Sequence, residues 1–282
     1  MRSNSVAIQG SVASFHELAA HQYFGSDIQT IHCNSFRDVC SKISSNQVDY
    51  GLIAIENKIA GSILLNYGLI ESFDLSIIGE TFLPIELQLM GKQEATIDGI
   101  REIISHPMAL GQCQQFLSEL SQVRVTEFKD TASSAELVSL KSDNLTAVIA
   151  GPEVAVRYGL KILANNVSDE SMNYTRFYVL TKGNDVIPDA DKASITIQLN
   201  DKAGELAKLL TLLHRAELNL TKIQSIPIPN NTAQYAFHLD IQFSSKQQLE
   251  KALTEVAFTA TSMRILGIYK GAKLPISELI TH

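Results

Sequence analysis

The strongest constraint in this sequence is a change of rhythm. Between residues 5 and 182, short apolar runs alternate with segments of helical spacing. SVAIQ, DIQTIH, DYGLIAIE, REIIS, VRVTEF, LTAVIA and TRFYVLT read as strands. SFHELAAHQYF, SFRDVCSKI, LLNYGLIESF, PMALGQCQQFLSEL, TASSAELVSLK and GPEVAVRYG read as helices, with Pro107 at a first helical position where a missing N–H costs nothing. Such alternation predicts an α/β chain built on parallel sheet. SIIGETFLPIELQLM also carries strand character, and the return to strand character after a mid-chain excursion predicts two lobes rather than one continuous sheet. The stretch KGNDVIPDADK, 182 to 192, is polar and carries Gly183 and Pro188, so it reads as a linker. Beyond it the order is strand, helix, strand, strand, helix, strand, the ferredoxin-like βαββαβ arrangement with a core of its own. The expected division is a two-lobed domain over 1–182 with a cleft between lobes, a linker over 183–192, a small module over 193–271 and a tail over 272–282.

Composition narrows the function. A hydrophobic fraction of 45% and a charged fraction of 19% suit a packed globular chain. The net charge of −7, with no basic run, argues against a nucleic-acid surface, which needs clustered Lys and Arg. A small anionic ligand needs only one or two well-placed donors. No stretch approaches the roughly 20 apolar residues of a membrane span. The start MRSNSVAIQG lacks an apolar signal core, and Cys33, Cys40 and Cys113 form no CxxC, so the expectation is a soluble, cytoplasmic protein without disulfides. The seven His show no metal-ligand spacing, and no Gly-rich dinucleotide fingerprint follows the first strand, so neither metal nor cofactor is expected.

One stretch raises a chemical question. In MNYTRFYVL, 172 to 180, strand alternation sets Thr175 and Phe177 on one face and Tyr174 and Arg176 on the other. A hydroxyl and a cation side by side suit an anion held beside a hydrogen-bond donor, or a solvated strand end.

Several separated words resolve the question in one direction. TRF at 175–177 preceded by Asn173, YGLIAIEN at 50–57 followed by Gly61 and Ser62, ISHPMALGQC at 104–113 and YGLKILANNVSD at 158–169 stand in the order and spacing of the prephenate dehydratases. The chain resembles that family over nearly its whole length, including a C-terminal ACT regulatory domain. The family opening GPxGTFS stands here as GSVASFH, matching at Gly10, at the hydroxyl of Ser14 and at Phe15, with Ala13 in place of the second Gly. The family's phenylalanine-binding words GALV and ESRP stand as GELA, 204 to 207, and QSIP, 224 to 227, with Ile226 where the family has Arg.

The resemblance implies decarboxylative dehydration of prephenate to phenylpyruvate, in two lobes like those of type II periplasmic binding proteins. It makes Thr175 the first catalytic candidate, as a hydrogen-bond donor to the departing hydroxyl. Asn57, at the C-terminal end of its strand, is expected to contact substrate, with Glu56 either a second polar participant or a salt-bridged carboxylate. Ser105 is either a carboxylate contact or the cap of the helix begun by Pro107, and Gln112 reaches the same cleft. Arg176 either pairs a substrate carboxylate or ties the two lobes together. Phe177, Ser14, Gly61, Ser62, Thr131 and Ser133 are expected to line the cleft, although capping alone accounts for those at helix starts. His106 reads as a structural hydrogen-bonder, His16 and Glu17 as a solvated helix face, and Cys113 as core. Asn200, Asp201, Gly204, Leu206, Gln224 and Ser225 are the expected phenylalanine-effector residues, at an interface between paired modules that implies a homodimer or homotetramer. Two other readings stand beside this one: the same chemistry on arogenate, whose side chain carries an amine in place of the ketone, and a two-lobed ligand-binding sensor without catalysis.

Overall fold

A computed structural model describes residues 4–120, 122–183, 187–227 and 235–274. Residues 184–186 of the expected linker and 275–282 of the expected tail lie outside the described residues.

The first lobe contains β1 (Asn4–Gln9), α1 (Phe15–Phe24), β2 (Ile28–Cys33), α2 (Phe36–Ser44), β3 (Tyr50–Asn57), β4 (Gly61–Ser62), α3 (Leu64–Ser72) and β5 (Ser76–Pro84). The chain then enters the second lobe: β6 (Gln88–Gly91), β7 (Glu102–Ser105), α4 (Pro107–Gly111), α5 (Gln114–Glu119), β8 (Arg124–Glu127), α6 (Thr131–Leu140), β9 (Thr146–Ala150), α7 (Glu153–Tyr158) and β10 (Lys161–Ala164). It returns to the first lobe as β11 (Tyr174–Thr181). The C-terminal module follows with β12 (Lys192–Gln198), α8 (Glu205–Arg215), β13 (Asn219–Pro227), β14 (Tyr235–Gln242), α9 (Lys246–Thr259) and β15 (Ser262–Tyr269).

Each unit has its own sheet, ordered β2-β1-β3-β11-β5 with β4 beside β3, β10-β6-β9-β7-β8, and β13-β14-β12-β15. The sheets of the two lobes are mixed, where alternation alone predicts parallel ones. β1 runs parallel to β2 and β3, and β7 to β8 and β9, as the α/β connections require. β11 runs antiparallel to both β3 and β5, because the chain re-enters from the other lobe and not through a crossover helix. The helix expected over 107–120 is broken into α4 and α5. Cys113 leaves helical geometry, and Asp169 caps α5 by accepting the N–H groups of Gln114 and Gln115 at 2.9 and 3.0 Å.

Apolar strand residues fill the cores as their pattern dictates. Ile53, Ile55 and Ile77 are fully buried or nearly so, each worth about 1.5–3 kcal/mol of transfer free energy. Cys113 is core as expected. The module has its own core, with Ile195, Ile197, Leu239 and Ile241 packed under α8 and α9. Its other sheet face docks on the first lobe, where Leu266 and Tyr269 join the cluster of Ile53, Tyr178 and Leu180, with Ile226 packed against it. Gly267 permits this approach, since a Cβ there would lie 2.0 Å from the Ile77 carbonyl oxygen.

Candidate active site

A cavity of about 570 Å³ opens where the lobes meet, with Asn57, Thr175 and Phe177 on one side and His106, Gln112, Lys129, Asp130 and Thr131 on the other. Strand alternation delivers Thr175 and Phe177 to it together, and β3 ends at its edge with Asn57.

Three amides fix the floor. Asn57 Oδ1 accepts the backbone N–H groups of Ile59 and Ala60, both at 3.0 Å, which orients the side chain. Its Nδ2 then donates to Thr175 Oγ1 at 3.0 Å and to Asn173 Oδ1 at 3.0 Å. Asn173 Nδ2 donates to Gln112 Oε1 at 3.0 Å, and Gln112 Nε2 donates back to Asn57 Oδ1 at 3.4 Å. The ring is buried and joins both lobes, which also explains the helix break beside Gln112. Its chemical consequence lies at Thr175. With Oγ1 accepting from Asn57, the hydroxyl proton is left to donate into the cavity.

The same wall holds residues that the sequence reading assigned elsewhere. His16 is not solvated: its Nε2 is buried without a hydrogen-bond partner, and its ring meets Phe177 edge-on at 5.1 Å. Burial drives its pKa down to about 4 against the pull of the Asp130 charge. Glu17, outside the wall, is not solvated either: it accepts from the Ala13 N–H at 2.6 Å and from Thr30 Oγ1 at 2.8 Å. His106 lines the cavity and caps α4 through Nδ1, and burial lowers its pKa despite nearby Asp130 and Glu127. Asp130 caps α6 and takes a hydrogen bond from Ser11 Oγ at 2.9 Å, linking the lobes across the cavity. Asn173 was legible as a neighbour of TRF, but its place in the amide ring depends on the lobes meeting. Ser14 and Thr131 line the cavity, Ser14 also capping α1.

Other expected residues lie elsewhere. Arg176 is 4% exposed and faces away from the cavity. Its guanidinium binds Glu80 and reaches Asp240 Oδ2 of the module at 2.6 Å, stacked 4.8 Å over the Tyr178 ring. It ties the first lobe to the module, not lobe to lobe, because alternation sends it opposite Thr175. Burial opposes its charge, yet Tyr178, Asp240, Tyr269 and Glu80 hold its pKa well above the ordinary value. Burial likewise opposes the Asp240 charge, but Arg176 and His238 hold the carboxyl well below its usual range. Glu56 is the salt-bridged carboxylate of the two alternatives: Lys222 Nζ of the module binds its Oε2 at 2.7 Å and Ser62 Oγ at 2.9 Å. Gly61 pairs with Asn57 across β3 and β4 and lies outside the cavity wall with Ser62, since that hairpin turns toward the module. Ser105 is neither contact nor cap. It is fully buried and donates to the Ile149 carbonyl, leaving the cap to His106. Ser133 sits behind the wall, donating to Asp130 Oδ2 at 2.8 Å.

In the module, Asn200, Asp201 and Gly204 form an exposed loop, with Gly204 at φ +90° before α8 and Leu206 packed on the module core. Register through β14 sets Ile226 level with Gln198, so Gln224 and Ser225 lie toward the same end of the sheet as that loop. Ile226, in the position of the family Arg, packs on the first lobe.

Comparison with known proteins agrees with this geometry. The family model described as prephenate dehydratase matches residues 6–185. The bifunctional chorismate mutase/prephenate dehydratase of Aquifex aeolicus is 33% identical, over 95% of this chain and 74% of that protein. Arogenate dehydratase/prephenate dehydratase 2 of Arabidopsis thaliana is 31% identical, over 94% and 72%. Among solved structures, the prephenate dehydratase of Arthrobacter aurescens in complex with L-Phe superposes with a TM-score of 0.85 and 25% identity, over 94% of this chain and 89% of that one. A protein described as a novel type of quorum quenching acylase superposes at 0.86 with 27% identity, over 97% and 99%. With residues of the YGLIAIEN, ISHPMALGQC and TRF words brought to one inter-lobe cavity, and relatives aligned along nearly its full length, this chain belongs to the prephenate dehydratase family.

Proposed function

We propose that this protein is a lyase of phenylalanine biosynthesis that converts prephenate to phenylpyruvate in the inter-lobe cavity. The observation that carries the reading is the Thr175 hydroxyl, whose oxygen accepts from Asn57 and whose proton is free toward the cavity. In the reaction the ring carboxylate leaves as carbon dioxide and its electron pair enters the ring. The hydroxyl across the ring departs with the C–O bonding pair. Aromatisation supplies the driving force, so the protein has to orient the substrate and stabilise the departing oxygen. Thr175 donates a hydrogen bond to that oxygen, and the buried amide ring of Asn57, Gln112 and Asn173 holds the donor in place. Phe177 and Phe36 offer apolar surface to the carbocycle.

We assign Ser14, Thr131 and Phe177 to the substrate wall. The chain divides in this reading into a catalytic part over 1–182 and an ACT regulatory module over 193–271. Phenylalanine is its effector, bound near Asn200, Asp201, Gly204, Leu206, Gln224 and Ser225. The L-Phe complex of the Arthrobacter aurescens relative supports that effector. β13 is an edge strand, a surface on which two modules pair into a homo-oligomer. Three buried free thiols suit a reducing compartment, and we place the enzyme in the cytoplasm.

The test is phenylpyruvate formation from prephenate by purified protein beside Thr175→Ala, with and without phenylalanine. Turnover should fall at least roughly 100-fold in a folded mutant, the cost of losing one transition-state donor. Wild-type protein without turnover of prephenate sinks the choice of prephenate as substrate and sends the same dehydration to be tested on arogenate; absence of turnover on both sinks the dehydratase reading. Sedimentation with and without phenylalanine tests the oligomer.

A further inference from the structure

The charges on the cavity wall discriminate between two forms of the substrate, and this argument rests on the dehydratase reading above. Among the described residues, the wall carries one Lys or Arg, Lys129, and one carboxylate, Asp130, adjacent in the chain. The wall histidines His16 and His106 are both held toward their neutral form by burial. Formal charge on the wall therefore balances between these two neighbours.

Asp130 is held firmly. Its Oδ1 accepts from Ser11 Oγ at 2.9 Å and from the Ser133 N–H at 2.7 Å, and its Oδ2 accepts from Ser133 Oγ at 2.8 Å. A carboxylate offers about four acceptor positions, so one on Oδ2 remains. No ion pair with Lys or Arg satisfies Asp130 among the described residues.

The side chain of prephenate ends in a ketone beside a carboxylate, and both are hydrogen-bond acceptors. Set against Asp130, they meet another acceptor with no proton between them. In arogenate an ammonium replaces the ketone and donates a charge-assisted hydrogen bond to such a carboxylate. A cation and an anion side by side complement the zwitterionic end of an amino acid. We propose that Asp130 is a specificity-determining residue that biases the cleft toward arogenate by accepting the substrate ammonium, while Lys129 takes the neighbouring carboxylate.

The chemistry is unchanged and balances without a co-reactant. The bond from ring carbon to carboxylate breaks, its electron pair completes the arene, and carbon dioxide leaves. The C–O bond breaks toward oxygen, and the hydroxide takes a proton from solvent to become water. The product is phenylalanine.

The experiment measures kcat/KM on arogenate and on prephenate for the wild type, Asp130→Asn and Asp130→Ser. Both substitutions keep a side chain able to cap α6. The wild type should turn over arogenate, and each variant should lower the arogenate-to-prephenate ratio about tenfold, equivalent to about 1.4 kcal/mol. A purely structural role would lower both substrates together and leave the ratio unchanged, which overturns the proposal. Wild-type turnover of prephenate alone also overturns it, leaving the dehydratase reading intact. Turnover of neither substrate removes both.

Discussion

Single residues carry testable consequences on both sides of the cavity. The His16 pKa falls from 6.5 to about 4 in the folded protein, because burial disfavours the imidazolium. The unfolded chain binds that proton more readily, so the stability contributed by neutral His16 is complete above about pH 6.5 and is lost as pH falls toward 4. Urea unfolding of wild type and His16→Gln between pH 7 and 4.5 should show a wild-type slope steeper by up to about 1.4 kcal/mol per pH unit. Ala13 offers a second test. It holds φ +63° in the turn before α1, at the position where the family opening has Gly. Ala13→Gly removes that strain and should raise stability by about 1 kcal/mol after its own chain-entropy cost, read as a shift in urea midpoint. At this scale the sequence separated Thr175 from Arg176 correctly, since a period of two needs no tertiary knowledge. It misjudged His16 because the first turn of α1 faces the cavity, where the His16 ring meets Phe36 and Phe177, while only the far end of the helix, at Gln22 and Tyr23, faces water.

Among the elements, β11 shows how much one strand can be asked to do. One face presents Thr175 and Phe177 to the cavity, and the other presents Arg176 and Tyr178 to the module. Arg176→Met would leave Asp240 buried without its main cation. It should cost about 3–5 kcal/mol of stability, visible in chemical denaturation. Its KM should move far less than its unfolding midpoint; a large rise in KM with stability unchanged would return Arg176 to the substrate. The two-sided pattern was readable, but the partner was not, because Asp240 lies on β14 at a position that alternation assigns to solvent. The break between α4 and α5 was equally hidden. Local propensity favours one continuous helix there, and only the Asn57–Asn173–Gln112 ring and the Asp169 cap make the interruption worthwhile.

In the whole molecule, the βαββαβ module was legible from element order, and its docking was not. Ser194, His238 and Asp240 alternate with Ile195, Leu239 and Ile241, which reads as an ordinary wet face over an apolar one. That face is instead covered by the first lobe, with Tyr178 Oη 3.0 Å from Asp240 Oδ1 and Lys192 Nζ 2.8 Å from Glu80 Oε1. Gly267→Ala should weaken this joint, because its methyl group has no room beside Ile77. Faster hydrogen exchange confined to β5 and β15 would report the loosening, and unchanged exchange would refute the steric account. The buried charge joint also bears on any attempt to take the enzyme apart. A chain cut before Lys192 would keep Arg176 and Glu80 but lose Lys192 and Asp240, and it would open Tyr178 and Leu180 to water. The excised fragment would meet its surroundings with a sticky scar of bared apolar side chains around the Arg176–Glu80 pair, so poor solubility in a truncated enzyme would say nothing about whether its catalysis needs regulation.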